Sequence, residues 1–261
     1  MYPLLRAAIF GLLISLALVH TIELFGPLQV FMIEDSPLER VRQITGTSAV
    51  FRFWMVASVF VALSALFIPP GFFLGRGTGG PDVGGAALFV SLAAALLASV
   101  LLAQVMTVFK AVLPLASAAL KSGEFSFFDG EPGRLPVSIE QALLSVGRGA
   151  VYQEFNRYDA LFTRQTLVYL PITEALFGMA SLVFFARIRP GRAIELCFLG
   201  GAALLMLGAG LALYLLENDA LTSASVSLSV VASRLGFILL AGGLLLGLNA
   251  LRRMGPDGVV R

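Results

Sequence analysis

The sequence has little of the chemistry from which most enzyme sites are built. It contains one cysteine, Cys197, and one histidine, His20, so an intrachain disulfide is excluded and a metal site built from several such ligands has no residues to use. An HExxH pattern, a glycine-rich phosphate loop and a cluster of acidic metal ligands are all missing. We therefore expect no enzymatic activity, no cofactor and no bound metal, and we interpret Cys197 as a small packing residue.

Charge is also scarce. Charged residues make up 13% of the chain, whereas 58% of the residues are apolar and the mean hydropathy is +0.90. Because about a quarter of the residues in soluble proteins are charged, a water-soluble domain is excluded. Six apolar runs approach or exceed the length that a helix needs to cross a hydrocarbon core of about 30 Å. We call these runs spans 1 to 6 and predict them at residues 7–22, 53–74, 84–108, 166–186, 194–216 and 224–250.

The predicted fold class is therefore all-α, a single polytopic membrane bundle of six transmembrane helices with short interfacial helices. Lysine is nearly absent, because the 18 basic residues include only Lys110 and Lys121. Arginines concentrate in the short loops and tails on the side that holds the N-terminus: Arg6, Arg76, Arg187, Arg189, Arg192, Arg252, Arg253 and Arg261. The positive-inside rule then predicts that both termini are cytoplasmic, and the arginine- and alanine-rich composition suggests a bacterial inner membrane.

Two connecting segments have more structure than a simple turn. Ser36, Pro37 and Glu39 form a capping box, and the helix that follows is either an interfacial helix or a capped connector. We place the segment 109–165 on the outer side of the membrane as a loop. Its six basic residues would favour the cytoplasmic side if the positive-inside rule counted them fully. Within it, 122–136 is either a β-hairpin or an ordered loop.

A helix is predicted from Ser138 onward in that outer loop. Tyr152, Phe155, Tyr158 and Phe162 recur at helical spacing, which is typical of an interfacial anchor. We expect this helix to lie along the membrane surface and to turn inward at residues 163–165.

Small residues indicate how the last two helices pack. Gly201 and Gly208 lie seven residues apart in span 5, Gly236 and Gly243 do the same in span 6, and Gly243 and Gly247 form a GxxxG pattern. Such glycines let helix backbones approach closely. We expect this close approach either between spans 5 and 6 or between two copies of the chain.

Four ionisable side chains lie within or at the edge of the apolar spans: His20, Glu23, Glu174 and Arg234. A charge in hydrocarbon costs at least about 2.5 to 3.5 kcal/mol, so each should face protein, a cavity or the interface. A rise of about 1.5 Å per residue places Glu23, Glu174 and Arg234 in one layer of the outer half of the bilayer. We predict that Arg234 pairs with Glu174 or Glu23. The alternative is that Glu23 and Arg234 only reach the outer headgroups by snorkelling.

One stretch resembles a known family. Glu154, Arg157 and Arg164 lead into a span that carries Pro171 and ends in an arginine turn, Arg187, Arg189, Pro190, Gly191 and Arg192. This order is similar to the fourth membrane helix of the lipopolysaccharide-export permeases (LptF/LptG type), and a weaker similarity extends to Arg253. Two features of that family are missing: the segment 109–165 is too short for its jellyroll domain, and the loop RGTGGPDVGG between spans 2 and 3 has no room for its ATPase-coupling helix. A coupling-like string, Glu39 to Ser48, falls on the predicted outer side.

The resemblance implies a permease-like bundle. Our leading interpretation is an inner-membrane permease-like subunit that handles a lipid or amphipathic substrate, with Glu174, Arg234, Glu23 and His20 as substrate-binding residues in an outer-leaflet cavity. The alternative is a structural or assembly subunit of a larger membrane complex without transport activity. Expected partners are membrane lipids and either another protein or a second copy through spans 5 and 6. The sequence does not decide whether an ATPase is a partner, and we expect no binding to nucleic acid.

Overall fold

The computed structural model describes residues 3–25, 41, 44–46, 48–75, 84–122, 148–188, 191–218 and 223–253. These residues are almost all helical, and no strand occurs among them. Six helical stretches in this part of the chain are long and apolar enough to cross a membrane. The predicted all-α bundle of six spans is therefore confirmed.

Three spans are built around single uninterrupted helices: Pro3–Phe25 is span 1, Arg192–Glu217 is span 5 and Ser223–Arg253 is span 6. Span 2 consists of two helices, Ser48–Leu66 and Ile68–Gly75. It breaks at Phe67 because Pro69 and Pro70 lack the amide N–H that would continue the helical ladder.

Spans 3 and 4 each contain a π-helical segment. In span 3, Gly84–Thr107 is followed by the π segment Val108–Val112 and by the helix Leu113–Ser122. In span 4, Arg148–Arg164 is followed by the π segment Gln165–Tyr169 and by Leu170–Ile188. Both helices thus extend well beyond the apolar runs that define them in the sequence.

The helix does not end at residues 163–165, where we predicted a turn into the membrane. Arg164 keeps helical backbone angles (φ −62°, ψ −42°), as does Leu170 (φ −63°, ψ −53°), and the helix continues between them as a π turn. A π turn accommodates an extra residue without ending the helix, and polar residues alone do not reveal it. The interfacial helix at 36–44 falls mostly outside the described residues, as do the hairpin or loop at 122–136 and the helix start at Ser138.

The six spans pack in chain order, each against the next, and span 6 closes the ring by contacting span 1. Contact is most extensive between spans 5 and 6, where a Cβ atom on Gly201 would lie 2.9 Å from the Gly236 carbonyl oxygen. The close approach predicted from the glycines is therefore confirmed within the chain, and contact between two copies remains a prediction. Span 6 contacts span 1 much less extensively than it contacts span 5. We call this contact the seam.

The two ends of the seam differ. We call the end of the bundle that holds Pro3 and Arg253 the base, and the opposite end, which holds Glu23, the top. At the base, span 1 is fixed to span 2, because a Cβ atom on Gly71 would lie 2.8 Å from the Leu5 backbone. At the top, span 1 contacts span 6 through side chains, which include Glu23 and Arg234.

Candidate functional site

The four ionisable residues predicted from the sequence meet at the top of the bundle. His20 and Glu23 come from span 1, Glu174 from span 4 and Arg234 from span 6. Their exposed fractions are only 3%, 5%, 1% and 9%, respectively. We call this group, together with Trp54 of span 2, the ionic cluster. Four of the six spans contribute to it.

Arg234 and Glu23 form the ion pair that joins span 6 to span 1. The Arg234 Nη2 group donates to Glu23 Oε2, and the indole Nε1 of Trp54 donates to the other oxygen, Oε1, at 3.3 Å. The predicted pairing of Arg234 with Glu23 is confirmed. Because both side chains are buried and paired within the protein, the alternative that they snorkel to the headgroups is wrong.

His20 links this pair to span 4. Its Nε2 atom lies 2.5 Å from Glu174 Oε1, while its Nδ1 atom contacts Arg234 Nη1 and lies 3.3 Å from Glu23 Oε2. Arg234 therefore reaches Glu174 through the imidazole rather than directly. The second oxygen of Glu174, Oε2, is buried and has no hydrogen-bond partner among the described residues.

Aromatic side chains enclose the cluster. The ring centroid of Phe237 lies 4.3 Å from that of His20, at an interplanar angle of 57°. On the other side, Trp54 makes edge contacts with Phe51 and with Phe162 of span 4. Since electrostatic interactions strengthen when water is excluded, this enclosure makes the pairing within the cluster strong and the loss of any one partner costly.

The formal charges of the cluster do not cancel when His20 is neutral. Two carboxylates, Glu23 and Glu174, face one guanidinium, so the cluster then carries one net negative charge. A buried charge is tolerated only when it is paired and hydrogen-bonded. An imidazolium at His20 would bring the sum to zero.

A second buried polar contact joins spans 3 and 4. Gln104 Nε2 donates to Thr166 Oγ1 at 3.1 Å, beside the π segment in which Gln165, Thr166, Leu167 and Val168 are all buried. Four consecutive residues cover more than one side of the helix, so this segment is surrounded by protein. Trp54, Gln104 and Thr166 were not predicted as site residues. The one feature of the sequence that could have pointed to Trp54 as a site residue is that it is the only tryptophan in the chain.

At the base, the seam opens into a groove of about 520 Å³ between spans 1 and 6. Its polar lining comes from Arg6, Asn249 and Arg252, and its apolar walls include Phe10 and Leu245. Arg252 is exposed and Arg6 is half-buried. The groove thus combines two guanidinium groups with an apolar surface.

The structure offers little for metal or redox chemistry in the part of the chain that it describes. No group of three His, Cys, Asp or Glu residues in that part is arranged to hold a metal ion. In the ionic cluster, hydrogen bonds from Arg234 and His20 already engage the two carboxylates. Cys197 is a half-buried free cysteine, and a Cβ atom on Gly242 would lie 3.8 Å from its Sγ atom.

Comparison of the chain with known protein families, with curated proteins and with solved structures found no match. The resemblance to the lipopolysaccharide-export permeases therefore rests on the residues of spans 4 to 6 alone.

Proposed function

We propose that the protein is a permease-like subunit of a bacterial cytoplasmic membrane that handles a lipid or another amphipathic substrate at the seam between spans 1 and 6. The contrast between the two ends of the seam carries this proposal. At the top, the buried Arg234–Glu23 pair holds the two spans together, whereas at the base they separate around a groove. A contact that is closed by polar groups at one end and open at the other suits a lateral entry for a membrane-dissolved molecule.

The groove has the chemistry of a phospholipid site. Guanidinium groups bind phosphate oxygens through charge-assisted hydrogen bonds, and basic pockets between membrane helices are known to take anionic headgroups. Phe10 and Leu245, both 51% exposed, offer a surface for an acyl chain beside Arg6 and Arg252. In the proposed orientation, with both termini cytoplasmic, this headgroup belongs to the inner leaflet.

In this proposal the cluster has two roles. Glu23, Arg234, His20 and Glu174 hold the top of the seam closed in the present state, and they contact the polar part of the substrate when the seam opens. Intramembrane ionisable groups that face the interior of a bundle commonly mark a substrate or ion path. The family resemblance in span 4 points to the same class of protein.

One observation favours the alternative, a structural or assembly subunit without transport. All four ionisable residues of the cluster are at least nine-tenths buried and hydrogen-bonded to one another, as in an ionic network whose only role is to fix helix positions. In that case the seam never opens, and the lipid-facing surfaces serve to dock other subunits.

Lipid retention separates the two functions. The full chain is purified in mild detergent with added phosphatidylglycerol or phosphatidylcholine, and native mass spectrometry counts the lipids that stay bound. We expect selective retention of phosphatidylglycerol, and we expect the double variant Arg6→Gln/Arg252→Gln to lose most of it. The matched control is Arg192→Gln, since Arg192 is exposed at the start of span 5 and does not line the groove.

Co-purification from native membranes gives the second readout. Bound lipid or an ATPase partner supports the permease-like function. A stable multi-subunit assembly that retains no lipid supports the alternative. The alternative is also supported if the groove variant and the control variant retain the same amount of phosphatidylglycerol.

A further inference from the structure

The groove at the base separates its polar and apolar groups along the membrane axis. Arg6 and Phe10 lie four residues apart in span 1, as do Asn249 and Leu245 in span 6, so each pair shares one helix face. With a rise of about 1.5 Å per residue, the polar groups lie about 6 Å nearer the base than the apolar groups. A membrane lipid whose headgroup points to the base has its headgroup and chains in the same order.

The polar side chains of the groove are all hydrogen-bond donors that suit an anion. Arg6 and Arg252 contribute two positive charges, and no acidic residue is among the described residues that line the groove. Neither arginine forms an ion pair within the described part of the chain. The side-chain amide of Asn249 adds an uncharged donor. The groove therefore offers three donor groups and two positive charges to a ligand.

A phosphomonoester matches these donors better than a phosphodiester does. A monoester carries a charge of about −1.5 to −2 at neutral pH and has three terminal oxygens that accept hydrogen bonds. A diester, such as the phosphate of phosphatidylglycerol, carries one negative charge and has two such oxygens. Only the monoester has one terminal oxygen for each donor group, and only its charge approaches that of the two arginines.

We propose that the groove binds a membrane lipid that ends in a phosphomonoester, and that Arg6, Asn249 and Arg252 bind its terminal phosphate. The chain of this lipid lies on Phe10 and Leu245, which are both 51% exposed. A soluble phosphomonoester gains nothing from that apolar surface, so the ligand is a lipid rather than free phosphate. This inference rests on the proposed function, because it names the substrate class of the same groove.

The ligand, and not the protein, makes this binding depend on pH. Arginine keeps its charge in proteins, and no carboxylate, histidine or lysine is among the described residues of the groove. The helix Ile68–Gly75, which packs against span 1 at the base, has no ionisable residue, and Glu195 in the first turn of span 5 does not line the groove. The second ionisation of a phosphomonoester occurs at about pH 6, so its charge matches the groove above that pH and not below it.

Competition between two lipids tests the inference on the full chain. The protein in mild detergent receives equal amounts of phosphatidic acid and phosphatidylglycerol with the same acyl chains, and native mass spectrometry counts each bound lipid. At about pH 7.5 we expect about tenfold more phosphatidic acid, the effect of one additional charge-assisted hydrogen bond. At about pH 5 we expect a preference below about twofold, because the monoester has lost its second charge. Equal retention at the higher pH, or a preference that does not change with pH, overturns the proposal.

The variant Arg252→Lys separates the geometry of the site from its charge. Lysine keeps the positive charge but lacks the planar fork that binds two oxygens, so the preference for phosphatidic acid should fall by about threefold or more. Retention of phosphatidylglycerol over phosphatidylcholine should persist. Asn249→Ala should also lower the preference, because it removes one donor. The matched control is Arg253→Gln, since Arg253 is exposed beside Arg252 and does not line the groove. The same preference in both groove variants and the control contradicts the proposed phosphate contacts.

Three further outcomes distinguish this inference from the proposed function. If glycerol 3-phosphate displaces phosphatidic acid at an equal concentration, the groove binds soluble phosphomonoesters and the lipid ligand is wrong. If phosphatidylglycerol is retained over phosphatidylcholine without any further preference for phosphatidic acid, the inference fails and the proposed function stands. If no anionic lipid is retained, both fail.

Discussion

Arg234 of span 6 and Glu23 of span 1 form a buried ion pair although 211 positions separate them in the chain. Every other helix of the bundle lies between them in the sequence, so this pair closes the ring of six spans. The pair lies on the side of span 6 that contacts span 1, where backbone packing contributes little. The seam at the top therefore depends on a polar interaction.

Replacing Arg234 with leucine should destabilise the protein strongly. The substitution leaves the Glu23 carboxylate buried without its cation, and removing one partner of a buried pair costs about 3–5 kcal/mol. Chemical unfolding in detergent, followed by the fluorescence of the single tryptophan, measures the effect. The double variant Glu23→Leu/Arg234→Leu should recover a large part of the loss, because no charge of the pair then remains unpaired. Equal stability of Arg234→Leu and wild type would mean that the pair does not hold the seam.

Replacing Trp54 with phenylalanine should cost about 1–3 kcal/mol, because Glu23 Oε1 loses its buried donor. Substitution of the neighbouring Phe53 by leucine is the control, since Phe53 is 72% exposed and should change stability by less than about 0.5 kcal/mol. Because Trp54→Phe removes the only tryptophan, thermal unfolding is followed by circular dichroism. A Trp54→Phe protein as stable as the control would show that the indole hydrogen bond is not important for the cluster.

Much of this architecture could be predicted from the sequence. The six spans are long apolar runs, and hydrocarbon leaves few alternatives to a helix for such runs. Counting the helical rise was enough to put Glu23, Glu174 and Arg234 in one layer, because straight helices of similar length align across a membrane. The pairing of Arg234 then followed from the cost of an isolated charge.

Other features have no such signal. The depth of Glu174 in the membrane does not determine whether its neighbour is His20 or Arg234. That depends on side-chain torsion angles, which the sequence does not reveal. In the sequence, Trp54 cannot be distinguished from the other apolar residues of span 2. Only the structure shows that its indole N–H faces Glu23. The π segments in spans 3 and 4 are formed by ordinary helical residues, so the sequence suggested a turn where the helix in fact continues.

Two neighbouring glycines of span 5 should respond in opposite ways to alanine. A Cβ atom on Gly208 would lie 2.8 Å from the Ser229 carbonyl oxygen of span 6, whereas a Cβ atom on Gly210 would meet nothing within 4 Å. Gly208→Ala should therefore destabilise the protein by about 1–3 kcal/mol through overpacking, and it should weaken the hydrogen bond from Ser229 Oγ to the Gly208 carbonyl. Gly210→Ala should be neutral or stabilising by up to about 1 kcal/mol, because alanine favours the helix. Equal effects at both positions in chemical unfolding would contradict the close packing of spans 5 and 6.

The contact between Gln104 and Thr166 offers a test of the second polar pair. Gln104→Leu removes the donor of a hydrogen bond between spans 3 and 4, and Thr166→Val removes its acceptor while keeping the side-chain shape. Each single change should cost about 1 kcal/mol or more, because it removes a buried hydrogen bond. Thr166→Val also removes the hydrogen bond from Thr166 Oγ1 to the Phe162 carbonyl. The double variant should lose less than the sum of the two, by about 0.5 kcal/mol or more, since residues in direct contact are not additive. Strict additivity in a double-mutant cycle would show that the two side chains do not interact, and that the wide π turn at Gln165–Tyr169 is held by its apolar neighbours instead.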